Sequence, residues 1–278
     1  MKIVSSGKVL NTSKLYKKKR KKKLFKLSLL LVLFFSSVWS LVYMSREERF
    51  LIKETVIGGV DVVDRDEMKS RTENLLEGFY FWFIPRNNLA VFPRAEIKST
   101  LLENFKRLKN VKLEINENTL AISVEERVPA ALYCPEALRN LGASNCYFID
   151  KDALIFAKAP AFSGDSFFIY GTETAIDDPI GKVVASVEEF SALSVFFKNL
   201  EYLEIKAKAL EIGEESYTLL TDQGTRLMWK KEYGLEKIYE NLEAFLSEES
   251  IKAQKDFLER VEYLDLTTED KVYWLLKK

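Results

Sequence analysis

The sequence predicts an α+β protein in which a single membrane helix is followed by a unit of order β-α-α-β-β and then by a mixed, mostly antiparallel β domain with flanking helices. Three observations predict this fold: an uncharged apolar run near the amino terminus, two helical segments among short strands after it, and apolar strands separated by polar turns in the second half. We assign residues 1–23 to a basic tail, 24–44 to the membrane helix, 50–133 to the first domain and 147–278 to the second.

The membrane helix is predicted from Leu27–Met44, eighteen uncharged residues rich in Leu, Phe and Val. As a helix this run would be about 27 Å long, close to the thickness of the bilayer hydrocarbon. Lys26 can extend its ammonium group back to the headgroups, while Trp39 and Tyr43 stand at the other end, where such aromatics favour the interface. We therefore expect the chain to contact the lipid bilayer through residues 24–44.

The distribution of charge predicts the orientation. Residues 1–46 carry twelve Lys and Arg and no Asp or Glu, which leaves 30 basic residues against 42 acidic ones in the remainder. Basic residues mark the cytoplasmic side, so the amino terminus is expected in the cytoplasm and the body outside it. An acidic body also argues against nucleic-acid binding. A cleaved signal peptide is the alternative, with a weak cleavage site at Val38-Trp39-Ser40, but the long leader and long apolar run favour an uncleaved anchor.

The elements of the first domain follow from local signals. "FLIKETVIGGV" predicts a strand that ends in a Gly-Gly turn, and Asp64 is placed to cap a helix over Arg65–Glu77. Pro93 opens a second helix. The strands "VKLEI" and "LAISVEE" follow, joined by the polar turn Asn116-Glu117-Asn118.

Between the two helices lies an aromatic run, Phe79-Tyr80-Phe81-Trp82-Phe83. Strand alternation would place its three Phe residues on one face and Tyr80 and Trp82 on the other. We expect at least one of these faces to pack into the core of the first domain, whereas the other could touch lipid or a partner.

The second domain begins with "YFID" and "ALIFA", a predicted hairpin around Lys151-Asp152. A helix with Val187, Phe190, Leu193 and Phe197 on one face follows. The strands "LEYLEIKAKALEI", "YTLLT" and "RLMWK" come next, the last two joined by a turn at Asp222-Gln223-Gly224.

The carboxy-terminal part predicts two helices and two strands. A strongly amphipathic helix buries Leu235, Ile238, Leu242, Phe245 and Leu246, and a shorter helix covers Ile251–Phe257. The strands "VEYLDL" and "KVYWLL" close the chain around a turn at Thr268-Glu269-Asp270.

Catalysis has few candidate residues. The chain has no histidine, which excludes histidine-based triads and metal sites, and two cysteines cannot make a zinc site alone. Glu125 and Glu126 are neighbours on a predicted strand, so their carboxylates point to opposite faces and do not form an acid–base pair. We therefore expect no catalytic residue, cofactor, metal or small-molecule substrate. An anchored cell-wall-modifying enzyme is the disfavoured alternative.

Cys134 and Cys146 flank the insert "PEALRNLGASN" between the two domains. An oxidising exterior permits a disulfide, and strands that leave and enter a short connector could hold the two residues within bridging distance. Two unpaired, partly buried thiols are the alternative.

Val272–Leu276, in the last predicted strand, lacks the charges and proline that usually protect a sheet edge. If no later strand pairs with it, an extended partner could add to this edge. Val272, Tyr273, Trp274 and Leu275 are then candidate partner-binding residues. Alternatively, Trp274 and Tyr263 belong only to the core.

Four segments, taken in order, resemble the FtsQ/DivIB family of bacterial cell-division proteins: "LAISVEERVPAAL", "YFIDKDALIF", "YTLLTDQGTRLMW" and "VEYLDLTTEDKVYW". The resemblance rests on their order over Leu24–Trp274. The family has a basic tail, one membrane helix, a β-α-α-β-β POTRA domain and a carboxy-terminal β domain. Three departures mark a divergent member: no Pro stands in "NENTLAI", Ala153 replaces a common Gly, and Thr267 replaces a common Arg.

The resemblance implies a non-enzymatic scaffold of the divisome, in the bacterial cell membrane at the division septum. Its expected partners are membrane proteins of the FtsB/FtsL (DivIC/FtsL) type. In the family FtsB docks on the last strands, where Tyr263, Leu266 and Trp274 stand at matching places. The resemblance also puts Glu125, Glu126 and Arg127 on a recruitment surface. The alternative is a POTRA protein of protein translocation or membrane-protein assembly, for which tandem POTRA units are expected.

Overall fold

The structure is a computed structural model that describes residues 12–135, 138, 145–160, 167–254 and 256–277. The chain divides into two compact units. The first contains the described residues up to Leu101 together with Val111–Val124, and the second contains Leu102–Asn110 and the described residues from Glu125 onward.

The first unit begins with one long helix, α1 (Thr12–Ser45), of 34 residues. Its part from Lys18 to Ser45 is long and apolar enough to cross a membrane, and its most apolar window is not buried against protein. The predicted span over 24–44 lies inside this helix, which is a candidate single membrane span.

The remainder of the first unit has the predicted β-α-α-β-β order, with a small hairpin added between the helices. Its strands and helices are β1 (Glu54–Gly58), α2 (Arg65–Leu76), β2 (Phe79–Tyr80), β3 (Ile84–Pro85), α3 (Arg94–Asn104), β4 (Leu108–Asn116) and β5 (Thr119–Glu126). A three-stranded sheet has the order β1-β5-β4, and β1 runs parallel to β5. The last residues of α3, the first of β4 and the last of β5 fall in the second unit.

Local chemistry explains where these elements begin and end. The Asp64 carboxylate accepts hydrogen bonds from the backbone N–H groups of Asp66 (2.9 Å) and Glu67 (3.1 Å), so it caps α2 as predicted. After β1 the chain turns at Gly59, where φ is +80° and a Cβ atom would lie 2.3 Å from the Val124 carbonyl oxygen. Only glycine fits this turn without displacing β5.

The prediction for the aromatic run was wrong. Phe79–Phe83 does not bury a face, because the Phe83 N–H donates to the Tyr80 carbonyl at 3.1 Å and closes a tight turn. Strand alternation therefore stops at Tyr80, and the segment forms an exposed hairpin, β2–β3. We call Phe79–Pro85 the aromatic hairpin.

The second unit is built on a nine-stranded sheet of order β14-β13-β12-β11-β10-β9-β6-β7-β8. The pairs β6–β9, β9–β10 and β12–β13 are parallel and the other pairs are antiparallel, which confirms the mixed, mostly antiparallel sheet. The strands are β6 (Ala131–Tyr133), β7 (Tyr147–Ile149), β8 (Ile155–Lys158), β9 (Ile169–Thr172), β10 (Ala207–Ile212), β11 (Ser216–Thr221), β12 (Arg226–Lys230), β13 (Val261–Asp265) and β14 (Tyr273–Leu276). The helices are α4 (Val187–Leu200), α5 (Leu235–Ser247), α6 (Glu249–Lys252) and α7 (Phe257–Arg260).

Several boundaries differ from the sequence prediction. Strand β6 lies within the range 50–133 assigned to the first domain, but its backbone pairs with β7 and β9 of the large sheet. The strand predicted from "LEYLEIKAKALEI" begins only at Ala207, because Glu201–Leu203 forms a 3-10 turn that ends at Glu204 with φ +60°. The helix predicted over Ile251–Phe257 is two short helices, α6 and α7.

Helices α4 and α5 contribute their apolar faces to the core of the second unit. Phe190, Leu193 and Phe197 are buried on α4, as predicted, whereas Val187 is exposed at the first turn. The Trp229 ring is fully buried, with ring centroids 5.4 Å from Phe196 on α4 and 5.3 Å from Tyr217 on β11. Burial of such large rings supplies much of the hydrophobic stabilisation of a core.

A disulfide joins Cys134 to Cys146, with 4.4 Å between their Cα atoms. The two residues come directly after β6 and directly before β7, and the last ladder pair is Tyr133 opposite Tyr147. Antiparallel pairing thus brings the cysteines opposite each other, within the range that a disulfide needs. The insert between them lies largely outside the described residues.

Candidate partner-binding site

Strand β14 lies at one edge of the nine-stranded sheet, as predicted. Among the described strands it pairs only with β13, antiparallel, with Tyr273 opposite Asp265 and Trp274 opposite Leu264. An edge strand presents backbone donors and acceptors that the sheet does not use.

The hydrogen bond at the end of β14 shows which N–H groups point away from the sheet. The Lys277 N–H donates to the Arg260 carbonyl oxygen at 2.7 Å, so it faces inward. Successive N–H groups of an extended strand point in opposite directions. The N–H groups of Leu276 and Trp274 therefore point outward, where they could donate hydrogen bonds to the carbonyl groups of another strand.

The side chains of this edge are apolar and unusually exposed. Tyr273, Trp274, Leu275 and Leu276 expose 50%, 40%, 45% and 38% of their surface. These four consecutive residues include no charge and no proline, so the edge strand is apolar on both faces of the sheet. A continuous exposed apolar patch is typical of a protein interaction site.

Trp274 packs against the buried Phe257 ring while its own ring stays partly exposed. Its ring meets the Phe257 ring edge to face, with centroids 5.4 Å apart, and the Phe257 ring lies 5.9 Å from that of Phe245 on α5. These contacts pack one side of the Trp274 ring against the core. A packed, half-exposed Trp is the kind of residue that contributes most at protein interfaces.

The turn that precedes β14 is also fixed by polar contacts. The Asp265 carboxylate accepts from the Thr267 N–H at 2.8 Å and from the Thr267 hydroxyl at 2.6 Å. The Lys237 ammonium lies 2.5 Å from the Glu269 carboxylate and 3.3 Å from that of Asp270. The hydrogen bond that the Lys237 ammonium donates to Glu269 is the main cause that raises the pKa of Lys237. The turn is thereby tied to α5, which limits the freedom of the edge strand.

The six predicted partner-binding residues do not all lie on this surface. Tyr273, Trp274 and Leu275 are exposed on β14, and Val272, just before the strand, is half-buried. Tyr263 is half-buried on β13. Leu266 is 1% exposed and belongs to the core. Its side chain is therefore not accessible at the surface of the free chain, and the expected contact at Leu266 stays a prediction.

The second group of candidates, Glu125, Glu126 and Arg127, divides in the same way. Glu125 is exposed and Glu126 is half-buried. The Arg127 guanidinium, largely buried, pairs with the almost fully buried carboxylate of Asp150. Its backbone N–H also donates to the Arg107 carbonyl at 2.7 Å. Arg127 is therefore a structural residue of the second unit.

Asp150 organises the turn between β7 and β8 that sequence analysis treated only as a hairpin signal. Its carboxylate accepts from the N–H groups of Asp152 (2.9 Å) and Leu154 (3.0 Å) in addition to Arg127. Lys109 pairs with Asp152 at 2.8 Å, and this hydrogen bond is the main cause that lowers the pKa of Asp152. Spacing in the sequence could not reveal this ion cluster, because Lys109 is 43 residues from Asp152.

In the part of the chain that the structure describes, no group of three or more His, Cys, Asp or Glu side chains is arranged to hold a metal ion. No protein-family model matches the chain, and no curated protein sequence matches it. The fold and the edge strand thus define a class, an α+β protein with a candidate membrane helix and an exposed aromatic sheet edge.

Proposed function

We propose that this protein is a non-enzymatic scaffold of bacterial cell division that binds a partner membrane protein of the FtsB/DivIC type on β14. The observation that carries the proposal is the uncharged, aromatic edge strand at the place where the sequence resembles the FtsQ/DivIB family. An FtsL-type protein joins the same assembly. Helix α1 anchors the scaffold in the cell membrane at the division septum.

The partner adds an extended segment to the sheet as a tenth strand. Backbone hydrogen bonds to the outward groups of β14 supply affinity, and alternate side chains supply specificity. Tyr273 and Leu275 face one side of the sheet while Trp274 and Leu276 face the other. The incoming strand therefore contacts apolar side chains on both faces.

Charge and redox chemistry support the proposed topology. The basic tail precedes α1, which favours a cytoplasmic amino terminus and an exported body. The Cys134–Cys146 disulfide lies in that body, and disulfides persist mainly in oxidising compartments outside the cytoplasm.

The test is capture of partners by the full-length, membrane-anchored protein, with the captured proteins identified by mass. The variants Tyr273→Lys and Leu275→Lys place a charge on each face of the edge strand. Loss of an interface anchor worth about 1.4 kcal/mol or more predicts at least about tenfold weaker capture of a small single-pass partner. Both residues are exposed, so the thermal unfolding midpoint should change little.

Tyr202→Lys is the matched control, since Tyr202 is 83% exposed and lies outside β14. It should capture the partner as the unchanged protein does. Equal capture by all three variants, or loss of capture only in variants that unfold earlier, would rule out β14 as the binding surface.

A further inference from the structure

The aromatic hairpin is a further large apolar surface among the described residues. Phe79, Phe81, Trp82 and Phe83 expose 57%, 79%, 90% and 45% of their surface. Packing inside the first unit does not account for them, because these rings point outward from a hairpin of two residues per strand. An exposed apolar patch of this kind marks an interaction surface.

The backbone of the hairpin is strained at its tip. Phe81 and Trp82, the central residues of the turn closed by the Tyr80–Phe83 hydrogen bond, have φ values of +49° and +68°. Turns of this kind normally place Asn and Gly there, since a bulky side chain disfavours positive φ. The strained turn projects two large apolar rings beyond the hairpin. Strained backbone of this kind clusters at functional sites, which points to a function for the residues it displays.

The hairpin is fixed beside the end of α1. The Arg46 guanidinium donates through Nε to the Phe83 carbonyl at 3.0 Å and lies over the Phe79 ring, 5.7 Å from its centroid. The Asn88 side-chain amide donates to the Ser45 carbonyl at 2.9 Å. The distance between the rings and the end of the candidate membrane helix is thereby set by the fold.

An apolar cleft of about 380 Å³ lies between α1 and the hairpin. Helix α1 contributes five apolar or aromatic side chains to it, among them Trp39 and Tyr43, and the hairpin contributes Trp82 and Phe83. Among the described residues that line the cleft, the only charged one is Arg46. A surface continuous with a membrane helix, apolar inside and basic at its rim, has the chemistry that a phospholipid requires: apolar walls for an acyl chain and a cation for the phosphate.

We propose that the aromatic hairpin inserts into the outer-leaflet interface of the bilayer beside α1, with Phe81 and Trp82 below the headgroups and Arg46 at the phosphate level. This proposal rests on the membrane anchoring by α1 given above. The first unit is then bound to the bilayer at two points, the helix and the hairpin, so the bilayer fixes its orientation.

The test uses the full chain in vesicles of phosphatidylethanolamine and phosphatidylglycerol whose acyl chains carry bromine close to the headgroup. Bromine quenches tryptophan emission on contact. The difference in emission between the unchanged protein and Trp82→Phe isolates Trp82, and the difference from Trp39→Phe isolates Trp39 on α1. We expect brominated lipid to reduce both difference signals, that of Trp82 by at least about twofold, because both rings lie in the interface.

The pair of signals separates this inference from the anchoring on which it rests. Quenching of Trp39 without quenching of Trp82 would overturn the insertion of the hairpin and leave the anchor intact, whereas quenching of neither would overturn the anchor itself. The variant Phe81→Asp should weaken the quenching of Trp82, since a carboxylate resists insertion beside anionic lipid. Tyr202→Asp, an exposed aromatic change in the second unit, should leave it unchanged.

Discussion

Burial divides the side chains of the candidate sites into those at the surface, which a partner can reach, and those that stabilise the fold from inside. Arg127 shows the difference, because its sequence neighbour Glu125 is exposed whereas its own guanidinium pairs with buried Asp150. Removal of one partner from a buried ion pair leaves an uncompensated charge. A recruitment defect in an Arg127 variant is therefore evidence of a direct contact only if the variant is shown to be as stable as the unchanged protein.

We predict that Arg127→Ala lowers the free energy of unfolding by about 3 kcal/mol, because Asp150 would keep its charge without its main cationic partner. Glu125→Ala, a change at an exposed neighbour, should alter it by less than about 0.5 kcal/mol. Chemical denaturation of the two purified variants measures both values. A loss below about 1 kcal/mol for Arg127→Ala would contradict a structural role for the pair.

At the scale of elements, the sequence predicted correctly those helices and turns whose ends are set by neighbouring residues. Asp64 predicted the start of α2, and the Asp222-Gln223-Gly224 turn predicted the β11–β12 hairpin. The aromatic hairpin was missed because alternating rings are also typical of a strand with one buried face. Its strained turn at Phe81 and Trp82 has no local sequence signal, as Asn and Gly are absent.

The pairing of strands that are distant in sequence was also not predictable from the sequence. The parallel pairs of β9 with β6 and β10 join segments that are far apart in sequence, and the apolar pattern of a strand does not name its neighbour. For the candidate site, the sequence showed that Tyr273–Leu275 is uncharged and apolar, but its position at an edge was only conditional, because such a pattern is equally typical of a central strand. The burial of Leu266 was not predictable, because it depends on the sheet register that brings its N–H to the Met228 carbonyl at 2.8 Å.

We predict that reduction of the Cys134–Cys146 disulfide lowers the free energy of unfolding by about 3 kcal/mol, since the bond joins residues that are 12 positions apart and so closes a loop in the unfolded chain. The double variant Cys134→Ser/Cys146→Ser should lose a similar amount and should no longer respond to reductant. Thermal unfolding with and without reductant measures the effect. An unchanged midpoint in the reduced native protein would show that the β6–β7 ladder holds the strands without the bond.

At the scale of the whole molecule, the described residues include two exposed apolar surfaces besides helix α1: the aromatic hairpin and the edge strand β14. We propose lipid as the occupant of the aromatic hairpin and an extended partner segment as the occupant of the edge strand. Both proposals depend on helix α1 crossing the bilayer, for which it is long and apolar enough. The central claim is that binding at β14 occurs by addition of a strand, which requires the outward backbone groups as well as the side chains.

The most direct test removes one outward N–H and compares it with removal of the side chain alone. Leu276→Pro deletes the N–H that points away from β13, whereas Leu276→Ala keeps it. Partner capture by the full-length protein should fall at least about tenfold for Leu276→Pro and by less than about threefold for Leu276→Ala, at similar thermal unfolding midpoints. If Leu276→Pro unfolds early, an amide-to-ester change at the same N–H replaces it. Equal capture by the N–H-deleted protein and Leu276→Ala would contradict strand addition at this edge.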